Sequence, residues 1–188
     1  MVATLNSFVG CRLMRVAIVL AMLALPGCMT PHAAVEPLSP TLQSAQREVE
    51  RSVVDRVGSA ALAEARRADE FVAVLRYPGL PMPPYDTDGK PITPTYPTAL
   101  LYRQKGQWFA FGMDGVHPVL TRWSRQLEGL LRDPRLFAEQ AEGGVVGCTD
   151  AGASYVWLRV QGRAEQVRIG HCGGSPLTEQ LAGAALMG

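Results

Sequence analysis

The amino-acid sequence predicts an α+β domain, with an antiparallel sheet of about five strands packed against helices that cover one face. Three observations carry that expectation. Apolar residues recur at three- and four-residue spacing in separate stretches, β-rich runs lie between those stretches, and most of these runs come in pairs around short turns. The resulting order is helices, strand, hairpin, helix, hairpin, helix. No regular strand–helix alternation predicts a doubly wound sheet, and no internal repeat predicts a solenoid.

The elements follow in chain order. Leu42, Ala45, Val49, Val53 and Val57 form an apolar stripe, with Gln46, Arg47, Glu50, Arg51 and Asp55 elsewhere, which predicts an amphipathic helix over about 41–56. Ser39 and Thr41 are its cap candidates. Gly58-Ser59 interrupts the helix, and "AALAEARRAD" resumes it to about Asp69. Phe71 to Tyr77 is nearly all apolar, the mark of an inner strand. "TALLYRQKGQWFAFGM" reads as a hairpin turning at Gln104-Lys105-Gly106, with positive φ at Gly106. Leu120, Trp123, Leu127, Leu130 and Leu131 return to helical spacing until Asp133-Pro134 ends or kinks the helix. In the last hairpin, "YVWLRV" turns at "QGRA" into "EQVRIG". Its alternation of Val156, Leu158 and Val160 with Tyr155, Trp157 and Arg159 predicts one buried and one solvated face. Ser175, as cap, and Pro176, at the first helical position, open a closing helix.

Composition narrows the class. A chain of 188 residues has room for one domain and flanking segments. Its 47% hydrophobic and 19% charged residues can bury a core. The formal net charge of +1 supplies no basic field for nucleic acid and no acidic excess for cations.

The N-terminal segment has its own pattern. Arg12 and Arg15 are followed by the apolar run Val16 to Leu25 and then by the break Pro26-Gly27, the architecture of a secretory leader. A membrane-spanning helix needs about 20 apolar residues, so this shorter run predicts no permanent span. Leu25-Pro26-Gly27-Cys28 resembles the lipobox of bacterial lipoproteins, with Leu three positions before the cysteine and Gly directly before it. Pro26 stands where such signals usually carry a small or hydroxylated residue. The resemblance implies that the Cys28 thiol receives a diacylglycerol, that residues 1–27 are removed, and that the new amino group is acylated. A thiolate is the nucleophile such a transfer needs, and two or three acyl chains give stable anchoring. The bilayer is then a partner through acylated Cys28, residues 28–40 form a flexible tether, and 41–188 form a single periplasmic domain. By the same resemblance, Met29 stands where an aspartate would favour retention at the inner membrane, so for a Gram-negative source the expected location is the outer membrane, facing the periplasm. Cleavage near Pro31-His32-Ala33-Ala34, a cytoplasmic chain with a buried first helix, and a true start at Met14 remain open alternatives.

Only Arg12 and Arg15 of the charged residues precede Cys28, so a product beginning there carries 16 basic and 17 acidic residues. With Cys11 in the leader and Cys28 lipidated, Cys148 and Cys172 remain as an even pair in a disulfide-permitting compartment. A bridge between them would add about 3 kcal/mol on the chain-entropy estimate.

The segment from Tyr77 to Thr98 is the oddest. Seven prolines lie from Pro78 to Pro97, with Tyr77, Tyr85 and Tyr96 among them. Such a segment is either an ordered, proline-stiffened loop between strands or a semi-rigid arm presenting tyrosines to an envelope protein partner. Within it, Asp86-Thr87-Asp88-Gly89 echoes a calcium loop, but the twelfth position holds Pro97 instead of the required glutamate. No metal and no cofactor is predicted. His32, His117 and His171 fall in no zinc-type spacing, and there is no nucleophile elbow or phosphate-binding glycine loop. His171 adjoins Cys172, but neighbouring side chains usually point apart, and a disulfide is the expected role of that cysteine. His117-Pro118 is expected at a helix entry. Trp108, Phe109, Phe111, Trp123 and Trp157 read as core and sheet-face residues.

These features predict a membrane-anchored envelope lipoprotein with a non-enzymatic binding or scaffolding domain. The rival classes are a periplasmic hydrolase of cell-wall or lipid substrates and a carrier of small apolar ligands. The hydrolase would draw on His117, His171, Asp114, Asp150 or Glu165 as bases.

Overall fold

The proline break before Thr41 and the glycine after Val57 bound the first helix, α1 (Pro40–Val57). The computed structural model describes residues 37–79, 88–90, 95–143, 152–171 and 174–188. Cys28, Tyr85, Asp86, Cys148, Asp150 and Cys172 lie outside the described residues, as do the predicted leader and most of the predicted tether. Ser39 caps α1, its Oγ accepting from the Leu42 N–H at 3.2 Å. Gly58, at φ 90°, separates α1 from α2 (Ser59–Arg67).

A four-stranded meander follows: β1 (Glu70–Tyr77), β2 (Thr98–Gln104), β3 (Gln107–Gly112) and β4 (Gly115–Pro118). Lys105 and Gly106, the two residues between β2 and β3, both have positive φ (49° and 81°), the requirement of a type I′ turn. Helix α3 (Thr121–Arg132) ends at Asp133, whose carboxylate then caps the short α4 (Pro134–Ala138) by accepting from the Arg135 N–H at 2.9 Å. The break expected at Asp133-Pro134 is there. Strands β5 (Ala153–Arg159) and β6 (Gln166–His171) and helix α5 (Pro176–Met187) complete the domain.

All pairings are antiparallel, in the order β4-β3-β2-β1-β5-β6. Among the described residues the sheet therefore has six strands where about five were expected. The additional strand, β4, has only four residues, all exposed, so no alternation of burial marks it in the sequence. His117 lies on this edge strand, not at a helix entry. Val119 N–H donates to the Trp108 carbonyl, so alternate residues 115, 117 and 119 face β3. Pro118 then occupies an outward-facing position and removes an N–H from the free edge, which discourages edge-to-edge pairing.

Helices cover both faces of the sheet, not one as the sequence suggested. Phe71, Ala73, Leu75, Leu100, Tyr102 and Trp157 pack under α1 and α2. Val72, Val74, Leu101, Trp108, Val156 and Leu158 pack against residues of α3, α4 and α5. This is why β1 is buried from Glu70 to Leu75. It also overturns the solvated face expected for β5. Trp157 is fully buried, its ring centroid 5.2 Å from that of Phe71 in a T-shaped pair and the Arg66 guanidinium 5.1 Å above it. Arg159, from the same face, donates to the carbonyls of Arg66 and Ala68 at the C-terminal end of α2, where a cation is favoured.

Ser175 sits at the N-terminus of α5, but its side chain makes no capping bond. Glu139 supplies the cap from the end of α4. Its carboxylate accepts from the N–H of Leu177 at 2.8 Å and of Thr178 at 3.1 Å, and from the Thr178 hydroxyl at 3.0 Å. Buried Arg168 completes this network, donating to Thr178 Oγ1 at 3.2 Å and to the Glu139 carbonyl at 2.8 Å.

Candidate functional site

A helix presents every third and fourth residue on one side, and α1 uses two neighbouring stripes differently. Leu42, Ala45, Val49 and Val53 go into the core. Beside them, Glu48, Arg51, Ser52, Asp55 and Arg56 face a cavity of about 740 Å³. Leu75 and Tyr77 of β1, Thr98 of β2, Thr95 and Tyr96 just before it, and Met113 at the β3–β4 turn supply the other walls. The proline-rich segment leaves the sheet after Tyr77 and returns at Thr95, so residues from both of its ends line this groove. The volume falls within the range of small-ligand sites.

Hydrogen bonds give the groove a direction. The Tyr77 hydroxyl donates to Glu48 Oε2. The Tyr77 ring lies 4.6 Å from that of Tyr96 and 5.2 Å from that of Tyr155. Burial, then the Glu48 bond and charge, and then the neighbouring tyrosines push the Tyr77 hydroxyl well above the ordinary phenol range. Burial and the Glu48 charge raise Tyr155 in the same direction. Deeper in, Ser52 Oγ lies 2.6 Å from Thr98 Oγ1, and Thr98 Oγ1 donates to the Tyr96 carbonyl at 3.0 Å. Backbone supports this corner. Arg76 N–H donates to the Pro97 carbonyl at 2.9 Å, and Gly152, at φ 73°, lies so close to Tyr77 that a Cβ there would meet its carbonyl oxygen at 2.2 Å.

Two of the tyrosines singled out in the sequence, Tyr77 and Tyr96, thus meet in one site, each half-buried. Glu48, Ser52, Thr98 and Tyr155 were not anticipated. Their one sequence signal is weak: Glu48, Ser52 and Asp55 recur at i, i+4 and i+7 beside the apolar stripe.

The groups named as possible bases are distributed differently. His117 Nε2 and Asp114 Oδ1 are 2.9 Å apart, but they sit on the outer hairpin with side chains 52% and 83% exposed. The hydrogen bond from His117 lowers the Asp114 carboxyl. Glu165 accepts from Trp157 Nε1 at 3.2 Å and pairs with Arg159 at 3.4 Å, while His171 ends β6. These described bases line no common cleft. Within the groove, Glu48 and Asp55 stem from positions two helical turns apart on α1, about 10.5 Å along its axis. Charged residues at the rim also differ from the lining an apolar carrier would need. Among the described residues, no group of His, Cys, Asp and Glu is arranged to hold a metal ion.

No family model matches the sequence, and no curated protein or solved structure matches it.

Proposed function

We propose that this chain is a membrane-anchored bacterial envelope lipoprotein whose domain binds another envelope component non-enzymatically, using the groove between α1 and the β1–β2 mouth. Lipid attached at Cys28 would hold the domain at the outer membrane, facing the periplasm, and a Cys148–Cys172 disulfide would brace it. The anchor rests on the lipobox-type residues Leu25 to Cys28. The single observation that carries the binding reading is the open cavity of about 740 Å³ where Tyr77 and Tyr96 meet Glu48. Among the described residues, no helix is long and apolar enough to cross a membrane, which is compatible with an acyl anchor.

The two halves of the proposal have separate tests. Cys28→Ala should release the protein from the membrane fraction, and the intact mass of the wild type should carry the acyl chains. An unacylated mature chain, or membrane association indifferent to Cys28, contradicts the anchor. For the groove, a photoreactive residue at position 96 should give a discrete adduct in living cells, and Ser52→Trp, which fills the cavity, should abolish it. An adduct unchanged by Ser52→Trp contradicts the groove as the binding place.

A further inference from the structure

Each hydroxyl in the groove has one proton to give, and that count fixes what the groove can offer a ligand. Thr98 donates to the Tyr96 carbonyl, so both bonds of the Ser52–Thr98–Tyr96 chain are satisfied together only when Ser52 donates to Thr98. The Ser52 proton is then used, leaving lone pairs on its oxygen. The Tyr77 proton is used on Glu48 Oε2, and Glu48 Oε1 carries no bond among the described residues. The Glu48–Ser52 end of the groove is therefore rich in acceptors and lies beside the rings of Tyr77 and Tyr96, while the hydroxyls of Tyr96 and Thr95, which also line the groove, are engaged by no hydrogen bond among the described residues. An acceptor-rich pocket beside aromatic rings selects a donor, and most strongly a cation. A hard metal ion fits poorly, because it needs several oxygens within about 2.6 Å and the carboxylates of Glu48 and Asp55 stem from different turns of α1.

The rim has the opposite character. Arg51 and Arg56 lie on either side of the Glu48–Ser52–Asp55 stripe, are exposed, and are held by no ion pair among the described residues. Arginine pairs well with a carboxylate. An anion at the rim and a cation deeper in would leave both signs matched.

We infer that the groove binds a short zwitterionic peptide, its ammonium held by Glu48, Ser52 and the tyrosine rings and its carboxylate at Arg51 and Arg56. This rests on the groove being the binding place and names its ligand class. The ammonium donates to Glu48 Oε1 and Ser52 Oγ, while the Tyr77 hydroxyl keeps the Glu48 carboxylate turned inward.

The test is calorimetric titration of the full chain in detergent with trialanine, N-acetyl-trialanine, trialanine amide and N-acetylglucosamine. Trialanine should bind, and removing its positive charge by acetylation should weaken binding at least about tenfold, the scale of one lost hydrogen bond to a charged group. Glu48→Gln, which keeps the shape, should weaken trialanine by a similar factor and leave N-acetyl-trialanine unchanged. The amide should bind more weakly than trialanine, with that difference lost in an Arg51→Met, Arg56→Met variant. Equal binding of trialanine and its acetylated form overturns the inference, as does a failure of trialanine to bind. If N-acetylglucosamine binds instead and Ser52→Trp abolishes its binding, the ligand class is wrong and the groove reading stands. If Ser52→Trp leaves all binding intact, the groove reading itself fails. The acetylated probe needs no mutation, so the ammonium claim is testable even if a variant misfolds.

Discussion

Two polar clusters in this domain contain a carboxylate, a hydroxyl and neighbouring arginine, yet they are built for different ends. At the N-terminus of α5, Glu139 accepts three hydrogen bonds, and Arg168 spends its donors on Thr178 and the Glu139 carbonyl. In the groove, among the described residues, Glu48 accepts from Tyr77 alone, Ser52 retains lone pairs, and Arg51, Asp55 and Arg56 are exposed. The first cluster is closed and satisfied. It joins α4, β6 and α5 and has little left to offer a ligand. The second is open and only partly satisfied, with its unused capacity pointed into a cavity. Unused polar capacity in a concave site, not the mere presence of charged residues, is what distinguishes a place to bind from a place to hold the fold together.

The largest expected effect comes from breaking the closed cluster. Glu139→Ala strands the Leu177 and Thr178 N–H groups and leaves Arg168 without a neighbouring carboxylate, so denaturant unfolding should show a loss of about 3 kcal/mol or more. Burial already lowers the Arg168 pKa while Glu139 raises it, and removing the carboxylate leaves the burial uncompensated. Glu48→Ala in the open cluster should lose about 1 kcal/mol by the same measurement, because one bond is removed and the site remains wet. Equal losses at both positions would remove the distinction.

Tyr77→Phe comes next, with an expected loss of about 1 kcal/mol and an unchanged fold by circular dichroism. Its pH dependence sharpens the comparison. The folded Tyr77 keeps its proton to a higher pH than an unfolded tyrosine, which ionises near about 10. Its contribution is therefore present below about pH 10 and declines as pH rises above that value. Stability curves for wild type and Tyr77→Phe should converge in that alkaline range; parallel curves would deny the tyrosine its coupling to the fold. The smallest effect belongs to the outer hairpin. His117→Ala removes an exposed contact with Asp114 and should change stability by less than about 0.5 kcal/mol at neutral pH.

What the sequence made legible follows the range of the interactions involved. The apolar run of β1, the Lys105-Gly106 turn, the α1 stripe and the break at Asp133-Pro134 are all decided by near neighbours, and each was readable. Features decided across the fold were not. β5 alternates Tyr155, Trp157 and Arg159 with smaller apolar residues, which looks like a wet face until α1 and α2 cover it and Arg159 reaches the end of α2. Ser175 has the chemistry of a cap, but Glu139 is brought to α5 by tertiary packing and takes that role. The four exposed residues of β4 have no periodicity to read. In the groove, Tyr77 and Tyr96 stood out by composition. Glu48, Ser52 and Thr98 matter through hydrogen bonds between α1 and β2, and ordinary polar residues on a helix face carry no local mark of such a partnership.

The most direct test of the groove as the binding place is hydrogen exchange of the full chain with and without saturating trialanine. The account predicts slowed exchange in peptides covering residues 48–56, 75–79 and 95–99, with no change around Arg168 and Thr178. Slowing around the closed cluster instead, or no change at the groove under saturating ligand, would contradict it.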